Sequence, residues 1–413
     1  MHRDAASSEF RLGWRVVLAS MLGVACGASP VPFNAIGQLV GPVHLEYGWS
    51  FKDVLLGITL FGVCGAFMAP VFGWLSDRYG VRRVALGSLT AFGVSFGLLG
   101  FLPQNVYAWW IGWALVGMVG IGSTPITWTR GVNLWFFRQR GLALGLTLVG
   151  TSLTAVSVPW MARYCIDHFG WRQVFPALAG LALFIGLPVG LWLFREPRLE
   201  QRPVEVSQGA SLTGVLAATA YRDYRFWLIF MSGLLISMAY GGIFVNLQQM
   251  FELKGFAKVT ATGVVSTLGL AILFGRIGTG WLLDRIWAPL VAAPLLSLPA
   301  LACLVLIGHS LSLPMAYACA LIVGLAAGAE TDLIAYLAGR YFGMAHYGRI
   351  YGLLYMPFGL GSALSPSAYG WARDVAGNYN AALYAAIGMF ILGAALLLGL
   401  GRYPDFSKPA QSA

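Results

Sequence analysis

Long apolar runs alternate with short polar turns along almost the whole chain. A helix needs about 20 mainly apolar residues to cross a bilayer. By that measure twelve segments qualify, at 14–40, 51–74, 84–102, 107–136, 141–166, 172–194, 224–250, 260–283, 289–308, 312–340, 348–372 and 380–401. Several of the turns between them carry Gly, Pro or Asn, as in Leu102-Pro103-Gln104-Asn105 and Gly377-Asn378. One long polar interval, 195–222, holds Glu196, Pro197, Glu200, Pro203 and Glu205 and is too charged to span. It divides the chain into a six-helix half over 1–194, a linker over 195–223 and a second six-helix half over 224–413. The run at 14–40 is long enough to span and has no small-residue cleavage site behind it, so it reads as the first span and not as a signal peptide.

The pattern is written twice. Gly-Trp-Leu-Ser-Asp-Arg at 73–78 returns as Gly-Trp-Leu-Leu-Asp-Arg at 280–285, 207 residues later. At the same offset Trp135-Phe136 is answered a residue early by Tyr341-Phe342, and Gly141 and Gly145 by Gly348 and Gly352. Parallel duplication of a multi-helix unit, with the substrate held between the copies, is a building plan of secondary transporters. The expected fold is an all-α integral membrane protein: twelve transmembrane helices in two pseudo-symmetric six-helix bundles around a central cavity.

Composition narrows the class. The chain is 58% hydrophobic and 10% charged, with a mean hydropathy of +0.73, which excludes a soluble domain. Its 53 glycines and 15 tryptophans suit close-packed spanning helices with interfacial aromatics. The net charge of +10 gathers at span ends and not in basic runs, so nucleic acid is not expected as a partner. With the N-terminus inside, 18 basic residues fall on the cytoplasmic side and six outside. By the positive-inside rule both termini are cytoplasmic, in a plasma membrane, or an inner membrane if the source is bacterial. The five cysteines lack metal-ligand spacing and read as small hydrophobes. No metal-binding helix motif, phosphate loop or nucleophile constellation points to an enzyme, and no cofactor is expected. A sensor would need a soluble output domain that the polar segments are too short to form. The chain is read as a monomer.

The residues themselves resemble the major facilitator superfamily. Gly73-Trp-Leu-Ser-Asp77-Arg78-Tyr-Gly80-Val-Arg82-Arg83 matches its helix 2–3 signature at nearly every position. Trp135-Phe136-Phe137-Arg138-Gln139-Arg140-Gly141-Leu142-Ala143-Leu144-Gly145 resembles the helix 4–5 junction of the monocarboxylate and oxalate–formate branch, and Gly13-Trp14-Arg15 fits the start of its helix 1. Arg276, in Phe274-Gly275-Arg276, sits where that branch carries a substrate-binding arginine. The chain departs from the branch in two ways. No lysine lies in helix 1 or helix 11, where some members carry one, and position 272, where some relatives carry an aspartate, is Ile272. The resemblance implies that helices 1, 4, 7 and 10 line the cavity. It also implies that Asp77, Arg78, Arg82, Arg138, Arg140, Asp284 and Arg285 form a cytoplasmic gate. The plainer alternative is that these charges only set topology, although aspartate contributes little to that.

Four full charges lie inside the spans away from their ends: Arg130, Arg276, Glu330 and Asp332. Each costs about 2.5–3.5 kcal/mol at a helix centre, so such residues face a cavity or a partner. Arg276 lies roughly 12 Å from the cytoplasmic end of its helix at 1.5 Å per residue. Its planar guanidinium fits a carboxylate in two parallel hydrogen bonds, which makes it an anion anchor; the alternative is a structural pair with Glu330 or Asp332. Glu330 and Asp332 point about 200° apart on their helix, so one faces the cavity and the other a neighbour. Either can couple a proton to the anion. Arg130 is shallower and reads equally as a substrate or gate contact and as a structural pair. Asn34, Tyr240, Tyr336 and Tyr355 complete the candidate substrate site, with Gln38, Trp128, Asn246 and Tyr351 as further polar or aromatic positions whose alternative is interhelical packing. Pro30, Pro32, Pro125 and Pro357 permit bends. The expected function is a secondary carrier of a small organic anion, a monocarboxylate, with proton symport; anion exchange and export of another small molecule stay open.

Overall fold

The computed structural model describes residues 2–136, 140–197, 214–283, 285–308, 310–343 and 347–404. The described residues are almost entirely helical, with one isolated bridge between Gly214 and Gly343. In chain order the spans are His2–Ala25 with Pro30–Tyr47 (span 1), Phe51–Tyr79 (span 2), Val81–Leu98 (span 3) and Val106–Gly120 with Pro125–Asn133 (span 4). Arg140–Phe169 (span 5) and the helices between Val174 and Leu193 (span 6) follow. The second set is Tyr224–Leu253 (span 7), Lys258–Leu283 (span 8), Ala288–Ser297 with Pro299–Ile307 (span 9), Leu313–Phe342 (span 10), Tyr347–Ala376 (span 11) and Asn380–Leu398 (span 12). Eleven of these are long and apolar enough to cross a membrane. Span 11 is 30 residues long and completes the set of twelve, although Gly, Ser, Tyr and two internal prolines dilute its apolarity.

Spans 1, 4 and 9, expected as continuous helices, are broken, and in each the second piece begins with a proline in its first turn. Proline has no N–H to give the preceding turn but suits the first turn of a new helix, where that donor has no intrahelical acceptor. The breaks in spans 1 and 4 face each other. Ala28 N–H donates to Ser123 Oγ at 3.0 Å, and a Cβ at Gly27 would lie 2.4 Å from the Ser123 carbonyl oxygen. Glycine is required there for the backbones to meet, and Ser123 satisfies one of the donors the break releases. Span 6 contains a π-helical turn at Leu181–Gly186.

The buried apolar residues form two clusters, one drawn from 16–194 plus Val245 and the other from 220–400. Among the described residues they meet along several seams, three of them marked by glycine. Span 1 meets span 7, where a Cβ at Gly37 would come within 2.6 Å of the Val245 carbonyl oxygen. Span 2 meets span 11, with Gly62 against Ala363 and Thr59 Oγ1 2.6 Å from Ser367 Oγ. Span 5 meets span 8, with Gly269 against Ser152 and Val156. The span 1–7 and span 2–11 contacts lie in the half of the bundle away from the chain termini, here called the distal end. A buried amide set reinforces them: Gln38 Nε2 donates to Gln248 Oε1 at 3.0 Å, and Gln248 Nε2 donates to Glu252 Oε1 at 2.7 Å.

Candidate functional site

Span 8 positions Arg276 by packing tightly on span 10. A Cβ at Gly328 would lie 2.3 Å from the Ile272 carbonyl oxygen and 2.8 Å from the Arg276 backbone nitrogen. Gly275 meets Leu325 and Gly324 meets Leu268 and Ala271 just as closely. Three glycines therefore bring the Arg276 backbone against span 10 only two residues before Glu330. The Nε and Nη1 atoms of Arg276 are buried.

Glu330 is 4% exposed and faces span 7, where Ser237 Oγ lies 2.6 Å from its Oε1. The same Ser237 oxygen lies 2.6 Å from the Gly233 carbonyl oxygen. Tyr240, one turn further along span 7, and Tyr355 of span 11 are half-buried and lie near Glu330 and Arg276. Tyr355 continues an aromatic row, with ring centroids 5.8 Å from Tyr351 and 4.9 Å from Phe358. Arg276, Glu330, Tyr240 and Tyr355 thus occupy one neighbourhood contributed by spans 7, 8, 10 and 11, with Glu330 buried and the other three half-buried.

The other candidates lie elsewhere. Tyr336 donates to the Leu283 carbonyl oxygen at 3.0 Å, near the terminal end of span 8. Asn34 donates to Pro30 O at 2.7 Å within its own helix. Arg130 is exposed and lines a small cleft between spans 2 and 4 with Phe72, Gly73, Ser76, Ile126 and Thr127. Trp128 is fully buried in the first core, with its Nε1 donating to Ser123 O at 3.1 Å. Asn246 is fully buried and bonded to Tyr379 at 3.2 Å. The Asp332 side chain lies outside the described residues.

At the terminal end the duplicated motif repeats in three dimensions. Arg78 lies over Trp74 at 5.4 Å and Arg285 over Trp281 at 4.0 Å, the same four-residue stack in both copies. Arg82 reaches span 6, its Nη2 donating to Leu191 O at 2.7 Å and its backbone N–H to Glu196 Oε1 at 2.8 Å. Glu196 thereby closes the start of span 3 beside Gly80, whose φ of +88° favours glycine. Arg138 and Asp284, and the side chains of Asp77 and Arg140, lie outside the described residues.

Sequence reasoning missed Ser237 and Gly328. A serine or glycine in an apolar helix is too common to stand out, and only the partner across the interface distinguishes these two.

The sequence profile of the Major Facilitator Superfamily matches residues 16–366. The chain belongs to the Major Facilitator Superfamily. It is a multi-pass membrane protein of a transporter family. Among superfamily relatives, monocarboxylate transporter 13 of Bos taurus is 26% identical over 96% of this chain and 91% of its own length. Monocarboxylate transporter 11 of Mus musculus is 25% identical, covering 94% of this chain and 88% of its own. The fujikurins efflux protein of Gibberella fujikuroi is 26% identical over 96% of this chain and 84% of its own length.

Proposed function

We propose that this protein is a secondary active carrier of a small organic anion, a monocarboxylate, working by alternating access with proton symport. The observation that carries the reading is the gathering inside the bundle of buried Glu330 with half-buried Arg276, Tyr240 and Tyr355. A guanidinium keeps its charge and offers a carboxylate two parallel hydrogen bonds. Two phenols can orient the same group, and a single deep arginine suits one carboxylate better than two. The names of the monocarboxylate transporter relatives agree with this chemistry.

Glu330 is the proposed proton carrier, with Asp332 the second acid of span 10. Ser237 has one hydroxyl proton and two acceptors at 2.6 Å. If that proton goes to Gly233, Glu330 must supply the proton for the second contact. The geometry is therefore fully satisfied when Glu330 is protonated. Proton and anion then enter a low-dielectric site together, where neither charge travels uncompensated.

In the proposed cycle the distal end is the outer one and is closed here, with both termini cytoplasmic. Arg78, Arg82 and Arg285, together with Asp77, Arg138, Arg140 and Asp284, form the proposed cytoplasmic gate. Arg130 stands at its mouth, and Asn34 and Tyr336 flank the path. The carrier acts as a monomer in a plasma or bacterial inner membrane. Export of a compound is the second reading, favoured by the similarity to an efflux protein at the same level of identity.

The test is uptake of labelled carboxylates into proteoliposomes under an inward proton gradient. Gradient-driven uptake of a monoacid is expected, with Arg276→Ala lowering it at least about tenfold. Equal uptake by Arg276→Ala overturns the anchor. Uptake that ignores the gradient and requires a trapped internal anion makes the protein an exchanger.

A further inference from the structure

At the start of span 2, two of the three unpaired helical donors at Phe51, Lys52 and Asp53 find their acceptors in the other half of the molecule. The first four N–H groups of a helix have no intrahelical acceptor. Here Val54 N–H makes the first intrahelical bond, to Ser50 O at 3.1 Å, and Asp53 N–H is capped by the Ser50 side-chain oxygen Oγ at 3.0 Å. The remaining two, Phe51 and Lys52, donate to Asp374 at the distal end of span 11, at 3.0 Å to Oδ1 and 2.8 Å to Oδ2. Both oxygens of one carboxylate are used, at the positive end of a 29-residue helix. Arg373 beside it lies over the Phe51 ring at 5.3 Å.

The duplication makes this contact more telling. The repeat counterpart of Asp374, 207 positions earlier, is Asp167 at the distal end of span 5. Asp167 is held within its own helix by Arg163, whose Nε donates at 2.7 Å. The counterpart of Arg163 is Gly370. At Gly370 even a Cβ would lie 3.1 Å from the Lys52 backbone nitrogen and 2.9 Å from Leu55 Cδ1. Glycine at 370 lets span 2 approach and removes the cation that would compete for the carboxylate.

We propose that Asp374 is a one-sided distal latch: its carboxylate caps span 2 across the interface and biases the carrier toward its distally closed state, while its repeat twin Asp167 does not. Opening the distal end breaks both bonds and returns two N–H groups and a carboxylate to water. The latch rests on the alternating-access reading, and its test separates the two.

The test is pulsed electron–electron distance measurement on the full chain in liposomes. The five native cysteines are replaced, and spin labels are placed at the exposed distal positions Tyr107→Cys and Met315→Cys, one in each half. Wild type is expected to show a short, distally closed distance and a longer, distally open one. Asp374→Asn keeps one acceptor oxygen and loses the charge, and is expected to raise the open-to-closed ratio about tenfold. Asp167→Asn is expected to leave the ratio within about twofold. Phe51→Pro removes one donor without touching Asp374; Ser50 is already extended (φ −63°, ψ 154°), as a residue before proline prefers. It should move the ratio in the same direction by less, and it keeps the proposal testable if Asp374→Asn folds poorly. An unchanged ratio in Asp374→Asn or Phe51→Pro, or an equal shift in Asp167→Asn, overturns the latch. A wild type confined to one distance overturns alternating access and the latch with it.

Discussion

Gly328→Ala tests the packing that carries the proposed anchor. The new methyl group would sit 2.3 Å from the Ile272 carbonyl oxygen and 2.8 Å from the Arg276 nitrogen. Both are backbone atoms of span 8, so no side chain can swing aside. Reaching 3.0 Å, the shortest separation real Cβ atoms show, means moving span 8 from span 10 by roughly 0.7 Å at Ile272 and roughly 0.2 Å at Arg276, one turn on. Overpacking of this kind costs about 1–3 kcal/mol in a tightly packed interior. Gly278, two residues beyond Arg276, is the control. A Cβ there meets nothing within 4 Å, so alanine only adds helix propensity, worth up to about 1 kcal/mol. Thermal unfolding followed by tryptophan fluorescence should rank Gly278→Ala at or above wild type and Gly328→Ala below it. Anion uptake should fall in Gly328→Ala and stay within about twofold in Gly278→Ala. If Gly328→Ala melts with wild type and transports normally, the two helices do not meet as described and the positioning of Arg276 has another cause.

Two further outcomes follow from the same geometry. Glu330→Gln keeps the shape and a neutral hydrogen-bonding group beside Ser237 but has no proton to exchange; exchange of labelled for unlabelled anion should persist while gradient-driven uptake drops at least about tenfold. Persistent gradient-driven uptake would remove Glu330 from the coupling. Gly145→Leu and Gly352→Leu place bulk at repeat-related positions where a Cβ now meets nothing; stability should change by less than about 0.5 kcal/mol while uptake collapses, because the terminal ends of spans 5 and 11 must pack during the cycle. Normal uptake in both variants shows that these glycines face lipid throughout.

The sequence by itself determined the number of spans, their order and the duplication, because bilayer thickness converts directly into a length of apolar chain. It also singled out Arg276 and Glu330, since a charge inside a span is costly enough to be informative alone. The paired stacks of Arg78 on Trp74 and Arg285 on Trp281 follow from the repeated motif and helical spacing. Tertiary structure decided the partners. Helical periodicity says which residues share a face, but not which helix that face meets or at what height. Ser237 became significant only opposite Glu330, and Gly328 only against Ile272 and Arg276. The prolines of spans 1 and 4 were legible as bends, whereas the facing of the two breaks across Gly27 and Ser123 was not. Asp167 and Asp374 occupy the same repeat position, yet one is held by an arginine a turn away and the other crosses to cap span 2. That difference depends on whether a neighbouring helix comes within 3 Å, and such an approach is a property of packed helices, not of one chain segment.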